Sequence, residues 1–173
     1  MTRSEDVFAR QKEFLFPSVR PLYDQPLVLD VGEGVRVRDV DGREYLDFFG
    51  GILTTSVGHC HPKVVERVRE QVGRLGHTSP LYVTEPQIDV ARRLTEIAPG
   101  QLSQAFFTNS GTEAIETAIQ LAFLHTGRSE IIALRQAYHG RSFLASNVTA
   151  IKMWRPLPSS FPGVKHVMTP NPY

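Results

Sequence analysis

The sequence has little of several things, and each shortage narrows the reading. Of its 173 residues only one is cysteine, Cys60. A lone thiol forms no internal disulfide, so a reducing, cytoplasmic setting is expected. Neither sign of charge predominates: the formal net charge is +1, which gives no electrostatic footprint for nucleic acid or an anionic membrane. No run of about 18 apolar residues occurs, so no spanning helix is expected. The first residues, MTRSEDVFARQKEF, mix both charges without an apolar stretch and are not expected to act as a secretory leader. Two nucleotide signatures are missing as well. There is no G-x-x-x-x-G-K-[ST] loop, and no G-x-G-x-x-G follows a strand, so neither a P-loop nor a dinucleotide fold finds support. Internal repeats and low-complexity segments are absent too.

What is present suits an ordinary soluble domain with a core: 41% apolar and 21% charged residues over 173 positions. Residues 4–15 read as a short helix, with Ser4 as its cap and Pro17 as its stop. Residues 27–49 then alternate apolar and polar, punctuated by Gly32, Gly34 and the pair Asp41-Gly42. That pattern predicts a small β-meander with a hairpin at Asp41-Gly42. Residues 50–62, GGILTTSVGHCHP, read as a loop leading to Pro62 at a first helical position. Val64, Val65, Val68, Val72 and Leu75 mark one helix face. Thr84 and Gln87 suggest a capping box for a second helix with Ile88, Ala91, Leu94 and Ile97 inward. Strand, helix and strand are then expected at 104–108, 111–126 and 130–135, with Gly127 closing the helix.

The stretch TNSGTEAIETAIQLA (108–122) carries the chemistry. Ser110 and Glu113 have the spacing of a capping box, which by itself is only a helix start. More is implied by its place at the carboxyl end of a strand, where open α/β sheets bind ligands. Gly111 permits close approach of a ligand to the backbone. Free amides, the helix dipole and the hydroxyls of Ser110 and Thr112 would together suit an anion such as a phosphate monoester. A second cluster, QAYHGRSF (136–143), crowds the next loop. Tyr138 could stack on a ligand ring and Arg141 could meet a carboxylate bidentately. Singly, each has a plainer reading: a core ring, a loop histidine at His139, a solvated guanidinium.

In order and spacing, YLDFFGGILTTSVGHCHPKV, FFTNSGTEAIETAIQLA and AYHGRSF resemble the N-terminal part of class III aminotransferases. The resemblance runs from about Pro26 to the end, and S-V-G-H-C-H-P-K-V with G-R-L-x-H-T-S points to the alanine–glyoxylate type. It implies an α/β chain of pyridoxal-phosphate-dependent transferase fold type I, present in part. Residues 1–55 would be the helix and meander of the small domain, and 56–173 the first part of the large, cofactor-binding domain. It implies pyridoxal 5'-phosphate (PLP) as cofactor, with Ser110, Gly111 and Thr112 on the phosphate, Tyr138 on the ring and His139 beside it. Arg141, Gly51 and Ile52 would contact substrate, an amino donor or a 2-oxo acid, in a homodimer. No metal is expected: His59, Cys60 and His61 are too close in sequence to converge on one tetrahedral ion. The family's Schiff-base lysine lies past residue 173, and Lys12, Lys63, Lys152 and Lys165 do not match its context. The Pro-rich end, FPGVKHVMTPNPY, reads as a cut with VKHVM as a short strand. An inactive N-terminal portion with an exposed sheet edge and poor solubility is therefore expected. A non-catalytic phosphate-binding or interaction module, or another class III activity such as an aminomutase or decarboxylase, stays open as an alternative.

Overall fold

Thr2, not Ser4, starts the first helix. In the computed structural model, which describes residues 1–17, 23, 25, 27–155 and 162–171, helix α1 spans Arg3–Phe14. Thr2 Oγ1 accepts from Glu5 N, and the Glu5 carboxylate accepts from Thr2 N at 2.7 Å, a complete capping box. The cap moves because a second carboxylate serves the same end: Asp41 of the hairpin accepts from Arg3 N at 3.0 Å and Ser4 N at 3.3 Å. Ser4 is thereby buried inside the first turn.

The expected meander forms. Strands β1 (Leu29–Glu33), β2 (Arg36–Asp39) and β3 (Glu44–Leu46) pair antiparallel in the order β1-β2-β3. The β2–β3 hairpin turns on Asp39, whose Oδ1 accepts from Asp41 N and Arg43 N and whose Oδ2 accepts from the Tyr45 hydroxyl at 2.8 Å. Burial pushes the Asp39 carboxyl up most strongly. The Arg43 amide, the Tyr45 hydroxyl, the Asp41 amide and the Arg43 charge together outweigh it, holding the group below the usual carboxylate range. After β3 comes a single turn, α2 (Gly50–Leu53), then helix α3 (Pro62–Arg74).

The chain divides into two compact units, Met1–Tyr82 and Val83–Tyr173. In the second, α4 (Glu85–Ile97) and α5 (Gly111–Thr126) fall where the periodicity puts them. Thr84 is the N-cap of α4 but its hydroxyl caps no amide, so the expected box there is not formed. Gly127, at φ 66, closes α5 in the left-handed conformation. The apolar run at 104–108 is not a strand. A strand exists only where a ladder partner pairs with it, and among the described residues that run has none. The parallel pair is instead β4 (Ile131–Leu134) with β5 (Val164–Val167), in register from Ile131↔Val164 to Leu134↔Val167. Between them lie α6 (Phe143–Val148) and a short 3₁₀ turn, η1 (Lys152–Trp154). The strand–helix–strand unit is thus shifted one strand along the chain from its expected place. Prolines 156, 158 and 172 lie outside the described residues.

Ala133, Val148 and Val164 form a buried cluster, with Ile119, Ile131 and Leu144 packed against it. The stripes of α3 and α4, by contrast, are not covered: Val64, Val68, Val72, Ile88, Leu94 and Ile97 are all exposed. The sequence pattern marks a face of each helix meant for burial, and the described residues leave these side chains exposed.

Candidate functional site

The start of α5 is set by Ser110, in extended conformation, whose Oγ accepts from Glu113 N at 3.3 Å. The reciprocal half of the expected box is displaced by one residue: the Glu113 carboxylate takes Asn109 N at 2.8 Å and Asn109 Nδ2 at 3.3 Å. Ala114 N is the first amide to reach a carbonyl of this turn, Ser110 O. Gly111 N and Thr112 N have no acceptor among the described residues. A Cβ placed on Gly111 would meet nothing within 4 Å, so the space over this end of the helix is open. Two donor amides at the positive end of a 16-residue helix have the chemistry that suits an anion.

The 138–142 loop is bound to that first turn. Gly140 is buried with φ 129, and a Cβ there would fall 2.3 Å from Thr112 Oγ1. Only glycine accepts both the angle and the approach. Ser142 N donates to Thr112 Oγ1 at 3.2 Å, and the two hydroxyls lie 2.9 Å apart. On the other side His139 N donates to Thr149 Oγ1 at 2.9 Å, and Thr149, fully buried, passes its own hydrogen to Ala145 O. The half-exposed Tyr138 ring meets Trp154 edge to face, with centroids 5.5 Å apart. So the α5 start and the aromatic loop, separated by nearly 30 residues in sequence, share one patch of this unit.

Open donor amides at a helix start beside an aromatic loop are a common arrangement, and comparison with known proteins gives the family of the chain that carries it. The model of the family described as Aminotransferase class-III matches residues 19–173. The chain belongs to the class III aminotransferases. It is 41% identical over 167 residues to alanine–glyoxylate aminotransferase 2 homolog 2 of Arabidopsis thaliana, covering 96% of this chain and 35% of that protein. It is 50% identical over 131 residues to the acetylornithine aminotransferase of Methanopyrus kandleri, covering 76% and 33%. The taurine:2-oxoglutarate aminotransferase of Bifidobacterium kashiwanohense, solved with PLP and glutamate, superposes with a TM-score of 0.86 at 29% identity, over 99% of this chain and 39% of that one. The fold is that of the PLP-dependent class III transaminases, and the chain spans about a third of the length of the curated relatives it matches.

Within this aminotransferase chain the remaining expected residues divide between the units. Arg141 lies in the second, exposed at the rim of the 138–142 loop. Gly51 and Ile52 lie in the first, in a turn whose backbone is left-handed throughout: φ is 54 at Gly50, 60 at Gly51, and 62 at both Ile52 and Leu53. Asp47 holds that turn. Its Oδ1 accepts from Phe49 N and Gly50 N at 2.9 Å, and its Oδ2 lies 2.6 Å from His59 Nε2. A carboxylate only accepts, so the His59 hydrogen sits on Nε2. The His59 hydrogen bond, then the Gly50 amide, hold the Asp47 carboxyl below the usual range, against a smaller upward push from burial. His59 of the G-H-C-H-P motif is therefore engaged in fixing a turn.

Three residues at the site carry no signal in the sequence: Glu116, Ser142 and Thr149. Each is a polar side chain whose role depends on what packs opposite it, and only the approach of the loop to α5 reveals that.

Proposed function

We propose that this chain is the amino-terminal part of a PLP-dependent aminotransferase, with residues 1–55 in the small domain and 56–173 opening the large one. The complete, cytoplasmic, homodimeric enzyme moves an amino group from an amino acid of the alanine or ω-amino type to a 2-oxo acid such as glyoxylate or pyruvate. The donors and acceptors in the relatives' names support that range: alanine with glyoxylate, acetylornithine, and taurine with 2-oxoglutarate.

The observation that carries the reading is the pair of unclaimed amides, Gly111 N and Thr112 N, beside the loop that bears Tyr138. They fit a phosphate monoester joined to a flat ring. The two amides and the Ser110 hydroxyl donate to phosphate oxygens at the positive end of the helix dipole. Tyr138, its edge set against Trp154, offers a face for the pyridine ring, and His139 is fixed beside it through Thr149. Arg141 pairs with a substrate carboxylate. The left-handed turn presents Gly51 and Ile52 to substrate. When bound, the cofactor supplies the electron sink through which an amino group is exchanged for a carbonyl. Residues 1–173 alone do not complete that exchange: Lys12 lies in α1, Lys63 in α3, Lys152 in η1 and Lys165 in β5, and none belongs to the α5 start or the 138–142 loop.

Gly111→Pro tests the cradle. Proline suits a first helical position, the preceding residue is already extended, and there is room for the ring, so the helix should persist while one donor disappears. Affinity for pyridoxamine 5'-phosphate, followed by fluorescence titration, should fall about tenfold. Unchanged affinity would overturn the assignment.

A further inference from the structure

We propose that Glu116 is a positioning residue for this site, holding the 138–142 loop on the first turn of α5 through a one-way hydrogen-bond chain; the proposal rests on the cofactor reading above. Glu116 Oε1 accepts from Ser142 Oγ at 2.6 Å, from Leu144 N at 3.0 Å and from Ala145 N at 3.3 Å. It therefore caps α6 from a different helix. Ser142, the N-cap of α6, does not cap it with its own side chain. A carboxylate at that end is favoured both by the amides and by the helix dipole.

The donors in the chain have one consistent direction. An ionised carboxylate only accepts, so Ser142 gives its single hydroxyl hydrogen to Glu116. Ser142 Oγ must then act as acceptor toward Thr112 Oγ1, 2.9 Å away, and Thr112 is the donor. Thr112 Oγ1 in turn accepts Ser142 N. Both hydroxyls are committed to joining the loop to α5. A phosphate at the helix start meets Thr112 through its backbone amide, and the Thr112 side chain serves the loop. Without Glu116 the Ser142 hydroxyl loses its charged acceptor, the direction of the chain is no longer imposed, and the loop carrying Tyr138 loosens from the cradle.

The test uses the 173-residue chain with two probes, pyridoxamine 5'-phosphate and inorganic phosphate. Glu116→Ala should weaken pyridoxamine 5'-phosphate about tenfold while leaving inorganic phosphate unchanged, since the α5 amides stay in place. Glu116→Gln, whose amide oxygen still accepts, should restore most of the affinity. Ser142→Ala keeps the bonds from Glu116 to Leu144 and Ala145 and the amide bond of residue 142 to Thr112 Oγ1, but removes the hydroxyl that relays Glu116 to Thr112, and should reproduce the Glu116→Ala loss. If Ser142→Ala binds like the parent chain, Glu116 only caps α6 and the proposal fails. If the parent chain binds pyridoxamine 5'-phosphate no better than inorganic phosphate, the cofactor reading fails, and amide hydrogen exchange then decides the role of Glu116. In Glu116→Ala the Ser142 and His139 amides should exchange about tenfold faster while Gly127 N, bonded within the last turn of α5, keeps its rate. Unchanged exchange at Ser142 overturns the positioning role.

Discussion

Two irregular segments of this chain are each organised by one carboxylate, and they are built on different terms. In the first unit the Gly50–Leu53 turn depends on Asp47, which takes two amides and the His59 ring. In the second the 138–142 loop and the start of α6 meet Glu116, which takes one hydroxyl and two amides. The first segment stores backbone strain, with Ile52 and Leu53 both at φ 62. The second confines its unusual backbone to Gly140, which bears that angle without cost, and is tight in space instead. With equal numbers of hydrogen bonds to their carboxylates, the segments differ in what else they must bear: the turn offsets strain at Ile52 and Leu53, while the loop has no room for added bulk.

The loop should fail first. Gly140→Ala puts a methyl group into Thr112 at an angle that L residues avoid, and the nearest contacts include the Thr112 Cα as well as its side chain. Destabilisation of about 3 kcal/mol is expected from overpacking and strain together. Urea unfolding followed on the sole tryptophan, Trp154, which touches Tyr138, measures it directly. A variant as stable as the parent would mean that the loop does not rest on Thr112, and the contrast between the two segments would disappear.

In the turn the matching change is Asp47→Ala. Phe49 N and Gly50 N lose their acceptor and the His59 ring loses its partner, while the strain at Ile52 and Leu53 remains. The turn should then relax toward right-handed backbone, seen as exchange at the Phe49 and Gly50 amides about tenfold faster. Unaltered exchange there would show that the turn holds itself.

The difference between the segments also explains what could be read from the sequence. The start of α5 was legible because a cap, a glycine and an amphipathic run sit within a few consecutive residues, Ser110 to Ala122, and local rules suffice for that. Ser4 misled for the opposite reason: the true cap is chosen in part by Asp41, a residue nearly 40 positions away. The run at 104–108 has the composition of a strand, but a strand is a pairing, and composition cannot supply the partner. Glu116 reads as one more charged residue on a helix. Nothing local says that it faces the start of α6. The left-handed turn is half legible, since Gly50 and Gly51 announce unusual backbone, yet nothing announces that Ile52 and Leu53 follow them.

Acid should weaken the turn. The Asp47 carboxyl is held below its ordinary value, first by the His59 hydrogen bond. A group whose folded pKa is lowered stabilises the fold above its unfolded value, about 3.9 for aspartate, and that contribution disappears as pH falls through the lower, folded value. The stability difference between the parent and Asp47→Asn, measured by thermal unfolding, should therefore shrink below about pH 4. A difference that instead grew on acidification would have the wrong sign for this pairing.

The smallest effect is the most specific to the turn. Ile52 is 73% exposed, so its side chain contributes little burial, yet it is β-branched and held in left-handed backbone. Replacing it by glycine removes strain of about 1–2 kcal/mol and adds back about 0.5–1 kcal/mol of chain entropy in the unfolded state. The net expectation is a gain of about 0.5 kcal/mol, visible as a higher urea midpoint at an unchanged slope. The same substitution in the Asp47→Ala background should gain less, because the turn that imposes the strain has already relaxed. Equal gains in both backgrounds would mean that Asp47 does not hold Ile52 in place, and that the carboxylate and the strain are neighbours without being coupled.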